Sequence, residues 1–222
     1  MARIAPALSE IRGAMDDTNL HRLSPIGTLR INSSLGAARM VFAPIVLTYM
    51  RRYPDMKVEI VTEGRMVDIV AEGFDAGIRL SETVPQDMVR ISIGGDLQMV
   101  VVGSPDHFSR FPIPASPADL AVQPCVRARF PSGAPSRWEF SRHGEPLNIE
   151  VSGSLTLDDP SLMREAALAG TGLAYLAEWY VREDLVSGRL VRVLQDWTPS
   201  YRGLALYYPP RTATACRIAC LC

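Results

Sequence analysis

Apolar and polar residues change period along this chain, from two to about 3.6 and back, and the changes mark out its elements. Thr28-Leu29-Arg30-Ile31-Asn32 alternates, which predicts a strand. Ser33-Ser34 follows with two helix N-cap candidates. From Ala37 to Arg52, the residues Val41, Ile45 and Met50, filled in by Met40, Phe42, Val46 and Leu47, predict a largely buried helix. Arg51-Arg52 meet the negative end of the helix dipole, and Pro54 stops the helix. Val58 and Ile60, alternating with polar residues, predict a second strand. Strand, helix and strand of this length form a βαβ unit and predict a parallel sheet. The helix start then lies at the carboxyl end of the first strand, where open α/β sheets bind ligands.

The pattern continues. Residues 65–72 predict a short helix closed by Gly73, and residues 74–80 a third strand. Val89–Ile93 and residues 97–102 predict two more, turning at Gly94-Gly95. Ser104 or Asp106 caps a short helix through His107 and Phe108, and a proline-rich stretch over residues 111–117 marks a surface segment. Strands are predicted over residues 125–130, 138–140 and 149–157, with a turn at His143-Gly144. Asp158-Asp159-Pro160 starts a helix that Gly170 ends. Residues 172–176 read as a strand, 178–185 as a helix, 189–194 and 201–208 as strands. Near the start, Ile4, Leu8, Ile11 and Met15 fit both a short coiled-coil seam and a surface helix packed on its own domain. The strand–helix units fall in two blocks, residues 27–103 and 104–203, with the last strand free to return to the first. Two α/β lobes joined by two crossovers, with a cleft between them, are expected.

Composition narrows the function. At 222 residues and 47% hydrophobic, the chain can bury a core in one large or two small domains. A net charge of -1 gives it no electrostatic case for nucleic acid or anionic membrane. No run approaches the ~18 apolar residues of a membrane span. Charges throughout MARIAPALSEIRGAMDD argue against a signal peptide. Three of the four cysteines, Cys216, Cys220 and Cys222, crowd the last seven positions, which suggests no disulfide framework and fits a reducing cytoplasm. His21, His107 and His143 lie in no zinc or Cys–His pattern, and His107 and His143 read as surface residues. Nucleophile-elbow, phosphate-loop and dinucleotide patterns are missing, so no enzyme, metal or cofactor is expected. The candidate binding residues each keep a structural alternative. Ser33 and Ser34 serve a ligand or only cap the helix. Arg79 ends a strand at the sheet edge, with an ion pair to Asp75 or Glu82 as the plain reading. Arg127 and Arg129 share a strand face and form either an anion clamp or a solvated face. Asp158 and Asp159 read as helix caps.

The segments LRINSS, YMRRYPDMKVEI, DIVAEGFDAGIRL, VVGSPDHF, PADLAVQPCV, Trp138-Glu139-Phe140, GSLTLDDPSLMREAALAGTGLAYL and GRLVRVLQDW follow one another in this sequence. In that order they resemble the effector-binding domain of LysR-type bacterial transcription regulators, over about residues 1–211. The resemblance implies an α/β fold of the type 2 periplasmic-binding-protein kind, two lobes with each a mixed sheet flanked by helices. It implies the end of a linker helix at residues 1–24, lobe I at 25–103 plus 204–222, and lobe II at 104–203. Family members act as dimers or tetramers and touch DNA through a winged helix-turn-helix that this sequence does not contain. Their paired domains use the helix after the first strand and the one after Asp159. The closing stretch RTATACRIACLC departs from the leucine- and phenylalanine-rich helix usual there. A cytoplasmic, non-enzymatic effector-sensing part is therefore expected, and the alternative is a free-standing solute-binding protein of the same fold. A small, anionic or polar effector would bind between the lobes. Ser33, Ser34, Leu35, Arg79 and Leu80 would contribute from lobe I, and Arg127, Arg129, Phe130, Asp158 and Asp159 from lobe II. Gly103-Ser104 and Gly203-Leu204 would serve as hinges.

Overall fold

The computed structural model describes residues 25–129 and 133–210. The seam at Ile4, Leu8, Ile11 and Met15, the candidate site residue Phe130 and the tail cysteines lie outside the described residues. The chain divides into two compact units, one running to Gly95 and resuming at Gly203, the other Asp96–Arg202.

The first unit begins as the alternation dictates. Strand β1 (Gly27–Ser33) leads through Ser34 into helix α1 (Leu35–Val41), a π-helical segment (Phe42–Val46) and helix α2 (Leu47–Arg52). Strand β2 (Met56–Thr62) returns parallel to β1, from Gly27 beside Met56 to Ser33 beside Thr62. The βαβ unit is thus present, but the helix inside it is not largely buried. Pro44 has no N–H and its ring crowds the preceding turn, so the helix takes up one extra residue there. Leu47 N–H bonds the Phe42 carbonyl, five residues back. The buried face runs Ala37, Ala38, Val41, then jumps five to Val46 and on to Tyr49. Phe42, Leu47 and Met50 are turned outward.

Residues 65–72 form hydrogen-bonded turns rather than the expected helix. Asp68 Oδ1 accepts from the N–H groups of Val70 and Ala71, drawing the backbone into an Asx turn. Gly73 then takes a φ of 73°. Strand β3 (Ala76–Leu80) pairs parallel with β1, and β4 (Val89–Ile93) follows. The last strand, β13 (Leu204–Tyr208), inserts antiparallel between β3 and β4, giving the order β2-β1-β3-β13-β4.

Strand β5 (Leu97–Gly103) does not form a hairpin with β4 across Gly94-Gly95; it is the centre of the second unit. It pairs antiparallel with β10 (Ala174–Ala177), β11 (Val191–Val193) and β12 (Ser200–Tyr201). The chain therefore passes between units at Gly95-Asp96, ahead of the hinge expected at Gly103-Ser104, and returns at Arg202-Gly203. The stretch 201–208, which reads as one strand, is two, because β12 and β13 serve different sheets.

Helix α3 (Pro105–Arg110) starts at Ser104, whose Oγ accepts from His107 N–H at 3.2 Å. His107 is fully buried, not a surface residue. Its ring stacks on Phe111, and its Nε2 lies 3.0 Å from Gln123 Oε1. Strand β6 (Val126–Ala128) pairs parallel with β9 (Leu155–Leu157), and β7 (Trp138–Arg142) with β8 (Glu145–Ile149) as a hairpin turning at His143. Helix α4 (Pro160–Leu168) buries Met163, Ala166 and Ala167 against Val100, Val102, Ala174 and Leu176. Trp138, Phe140 and Tyr175 form an aromatic cluster in a second core that includes Val101 of β5. The expected helix over 178–185 is a 3₁₀ turn, Glu178–Tyr180, followed by α5 (Arg182–Val186).

Cys125 lies in this aromatic core, where burial pushes its thiol up to about 12. The thiolate is the reactive form, so Cys125 is expected to resist iodoacetamide at pH 8 in the folded protein and to react only in urea. Peptide mapping of alkylated protein checks this. Equal labelling of Cys125 with and without urea would refute it.

Candidate functional site

Each unit brings its candidate residues to the carboxyl edge of a parallel strand pair that runs into a capped helix. In the first unit β1 and β3 end together, with Ser33 in register with Ile78, so Arg79 and Leu80 follow beside Ser33 and Ser34. Ser33 is buried, and its Oγ donates to the carbonyls of Ser34 (3.1 Å) and Ile78 (3.4 Å), which ties the two strand ends. Ser34 caps α1: its Oγ accepts from Ala37 N–H at 3.3 Å. The remaining N–H groups of the first turn have no intrahelical acceptors. Leu35 and Leu80 are exposed beside them.

Arg79 differs from its expected role. Only 5% of it is exposed. Nη2 donates to Asn32 Oδ1 at 2.5 Å and to the carbonyls of Glu63 and Arg65 at 3.2 and 3.1 Å, and Nη1 to Ile78 carbonyl at 2.9 Å. The guanidinium thus staples the segment after β2 onto β1. Its pKa is lowered, chiefly by loss of solvent around the charge.

In the second unit β6 and β9 end together, and Arg129 N–H bonds Leu157 carbonyl at 2.9 Å. Arg129 and Asp158 are thereby neighbours at this edge. Asp158 is exposed, whereas Asp159 caps α4, Oδ1 accepting from Ser161 and Leu162 N–H at 2.8 and 3.0 Å. Arg127 is drawn aside to Glu150 (3.4 Å), and Arg129 Nη1 donates to Gly133 carbonyl at 3.2 Å. Arg127 lies within β6 and Arg129 just past its end, so they do not form the expected pair on one strand face, and each has its own partner. Sequence reading missed Asn32, Glu63 and Tyr207, which surround Arg79; Asn32 fits the ordinary alternation of its strand, so no local signal marks them. Among the described residues no three His, Cys, Asp or Glu side chains gather to hold a metal ion, and no helix is long and apolar enough to cross a membrane.

Two α/β units whose parallel strands run into capped helices are the architecture of type 2 periplasmic-binding-protein-like regulatory domains. The family described as LysR substrate binding domain matches residues 23–221, and the chain belongs to it. It is 42% identical over 214 residues to the HTH-type transcriptional regulator YcaN of Escherichia coli K12, spanning 96% of this chain and 70% of that protein. With PgrR, another HTH-type transcriptional regulator of the same organism, it shares 35% identity over 94% of this chain and 70% of that one. In fold it is similar to full-length AphB, a Vibrio cholerae virulence activator (TM-score 0.79, 20% identity, 99% of this chain and 76% of that one). CrgA, a LysR-type transcriptional regulator from Neisseria meningitidis, is similar likewise (TM-score 0.75, 21% identity, 98% and 73%). The chain is thus a regulatory domain of the kind found in LysR-type transcriptional regulators, a family that works through effector ligands and oligomers.

Proposed function

We propose that this domain senses a small anionic or polar effector at the strand-to-helix edges, acting in the cytoplasm as a non-enzymatic, self-associating part of a transcription regulator. The observation that carries the reading is the repeated edge: β1 into the Ser34-capped helix, and β9 into the Asp159-capped helix. At the first edge the helix dipole and the N–H groups of Leu35 and Gly36, which have no intrahelical acceptor, favour an anion by on the order of 0.3–1 kcal/mol when exposed and up to ~2 when partly buried. At the second, Asp159 already takes the Ser161 and Leu162 N–H groups, and Arg129 supplies the positive charge. In the first unit Ser34, Leu35 and Leu80 touch the effector, while Ser33 and Arg79 hold them in place. In the second, Arg129 and Asp158 touch it, Asp159 sets the helix start, and Arg127 is available on leaving Glu150. DNA contact belongs to the helix-turn-helix part for which the relatives are named. Self-association uses the outward apolar face of α1, the π segment and α2, together with α4, where Leu162 is exposed.

The test is a thermal-shift screen for a stabilising ligand, followed by titration against variants. Ser34→Ala and Arg129→Ala are expected to weaken binding by about three- to tenfold each, the worth of one hydrogen bond. Lys57→Ala, exposed at the amino end of β2, should leave it unchanged. Unaltered affinity in both edge variants would place the effector elsewhere.

A further inference from the structure

One sheet face of the first unit carries more hydrogen-bonding capacity than its own residues use. Asn32 on β1 stands in register with Gly77 on β3, and Gly77 with Tyr207 on β13. Position 77 accepts only glycine, because the Tyr207 ring and hydroxyl occupy the place of a Cβ. The hydroxyl end of Tyr207 therefore lies over Gly77, between β13 and Asn32. Arg79 is the next residue of β3 on that face, bonded to Asn32 Oδ1, and the Glu63 carbonyl accepts from its guanidinium.

Four polar atoms of this group are buried without a hydrogen-bond partner among the described residues: Asn32 Nδ2, Arg79 Nε, the Tyr207 hydroxyl and Glu63 Oε2. Asn32, Arg79 and Tyr207 are each more than nine-tenths buried. A buried polar atom left unpaired is costly, so four in one neighbourhood mark a place made for something else to complete. The chemistry is specific. Three of the four are donors and one is an acceptor. The hydrogen bonds of Arg79 go to neutral oxygens, while the carboxylates of Glu63 and Glu72 face Arg65 at 3.4 and 3.2 Å, so the charge of Arg79 has no carboxylate bonded to it. Burial raises the pKa of Tyr207, which keeps it a neutral O–H donor at pH 7.

We propose that Arg79 Nε–H, Asn32 Nδ2–H and the Tyr207 hydroxyl bind a small carboxylate inside the first unit, and that Glu63 Oε2 accepts from a donor on its neighbouring carbon. The ligand class is a short carboxylate bearing an adjacent hydroxyl or ammonium. This site lies on side chains of the sheet face and does not depend on the Ser34 edge.

The full chain is titrated with glycolate, acetate and methyl glycolate and followed by calorimetry. Glycolate should bind, acetate about tenfold more weakly for want of the donor, and the neutral ester not at all. Tyr207→Phe keeps the ring over Gly77 and should weaken glycolate about tenfold, while Glu63→Met should make glycolate and acetate bind alike. Ser34→Ala should leave glycolate binding untouched. No binding of glycolate by the unaltered chain at about 100 mM would mean that water alone completes these groups and would overturn the proposal. So would acetate binding as tightly as glycolate, or wild-type affinity in Tyr207→Phe. Loss of binding in Ser34→Ala with retention in Tyr207→Phe would move the carboxylate to the helix edge, overturning this site while leaving the effector reading intact.

Discussion

Replacing both Arg164 and Arg189 with methionine is expected to destabilise the second unit by about 3–5 kcal/mol, the cost of stranding a buried charge. Replacing Asp184 itself with methionine is expected to cost less than half of that. The asymmetry comes from exposure. Asp184 on α5 is fully buried, and its carboxylate accepts a two-pronged bond from Arg164 Nε and Nη2 (2.5 and 2.8 Å) and forms an ion pair with Arg189 Nη2 (2.5 Å). The hydrogen bond to Asp184 is the largest cause of the raised pKa of Arg164. The arginine side chains, however, are 29% and 57% exposed, so either finds water if the carboxylate is removed. The carboxylate has no such recourse. All three tryptophans, Trp138, Trp179 and Trp197, belong to the second unit, so tryptophan fluorescence during urea unfolding reads that unit alone. A double variant no less stable than the Asp184 variant would show that water reaches Asp184 and would sink the argument.

The second large effect concerns association. Phe42→Asp with Met50→Asp is expected to weaken self-association at least about a hundredfold, since each charge placed in an apolar contact costs over 1 kcal/mol. Phe42 and Met50 are 49% and 42% exposed, with Leu35 and Leu47 beside them, so one helical face presents four large apolar side chains to solvent. Such a patch lowers its exposed area by pairing with a second copy. Because these side chains are outside the core, the variant should keep the melting temperature of the unaltered chain. Val186→Asp, on a still more exposed position of α5, should associate normally. Sedimentation velocity in reducing buffer measures this, the reductant removing any cross-linking through Cys216, Cys220 and Cys222. An unaltered chain that stays monomeric at high concentration, or a double aspartate variant that pairs as tightly, would exclude this face.

The outward face is also where sequence reading went furthest astray, for a physical reason. Hydrophobic residues fill nearly every position from Met40 to Leu47, so the period of 3.6 has no polar gaps to reveal which side is buried. Pro44 was the overlooked signal. A proline inside a helix removes one N–H, and the extra residue absorbed there rotates everything after it. Residues 65–72 misled differently: Asp68 offered a side-chain acceptor close to its own backbone, and the local turn won over helix propensity. At the candidate site, Ser34 and Asp159 were legible as caps because a cap is a contact between residues three apart or fewer. Arg79 was legible as a strand end but not as a buried staple, since its partners Asn32 and Glu63 come from β1 and from the segment after β2.

The sequence by itself determined what depends on near neighbours: the βαβ start, helix starts at Ser33-Ser34, at Ser104 or Asp106 and at Asp158-Asp159, where the structure selects Ser34, Ser104 and Asp159 as caps, the turn at His143, and a set of ordered segments shared with LysR-type effector domains. Tertiary structure alone decided what depends on distant ones. It set β13 between β3 and β4, gave β5 to the second unit, and split residues 201–208 between two sheets. It also buried His107, Arg79 and Asp184. Strand pairing satisfies backbone groups with no regard to which side chains they carry, so alternation announces a strand but not its partner. A charged or polar side chain goes inside only where several elements together supply its hydrogen bonds. No window of sequence contains those partners until the chain has folded around them.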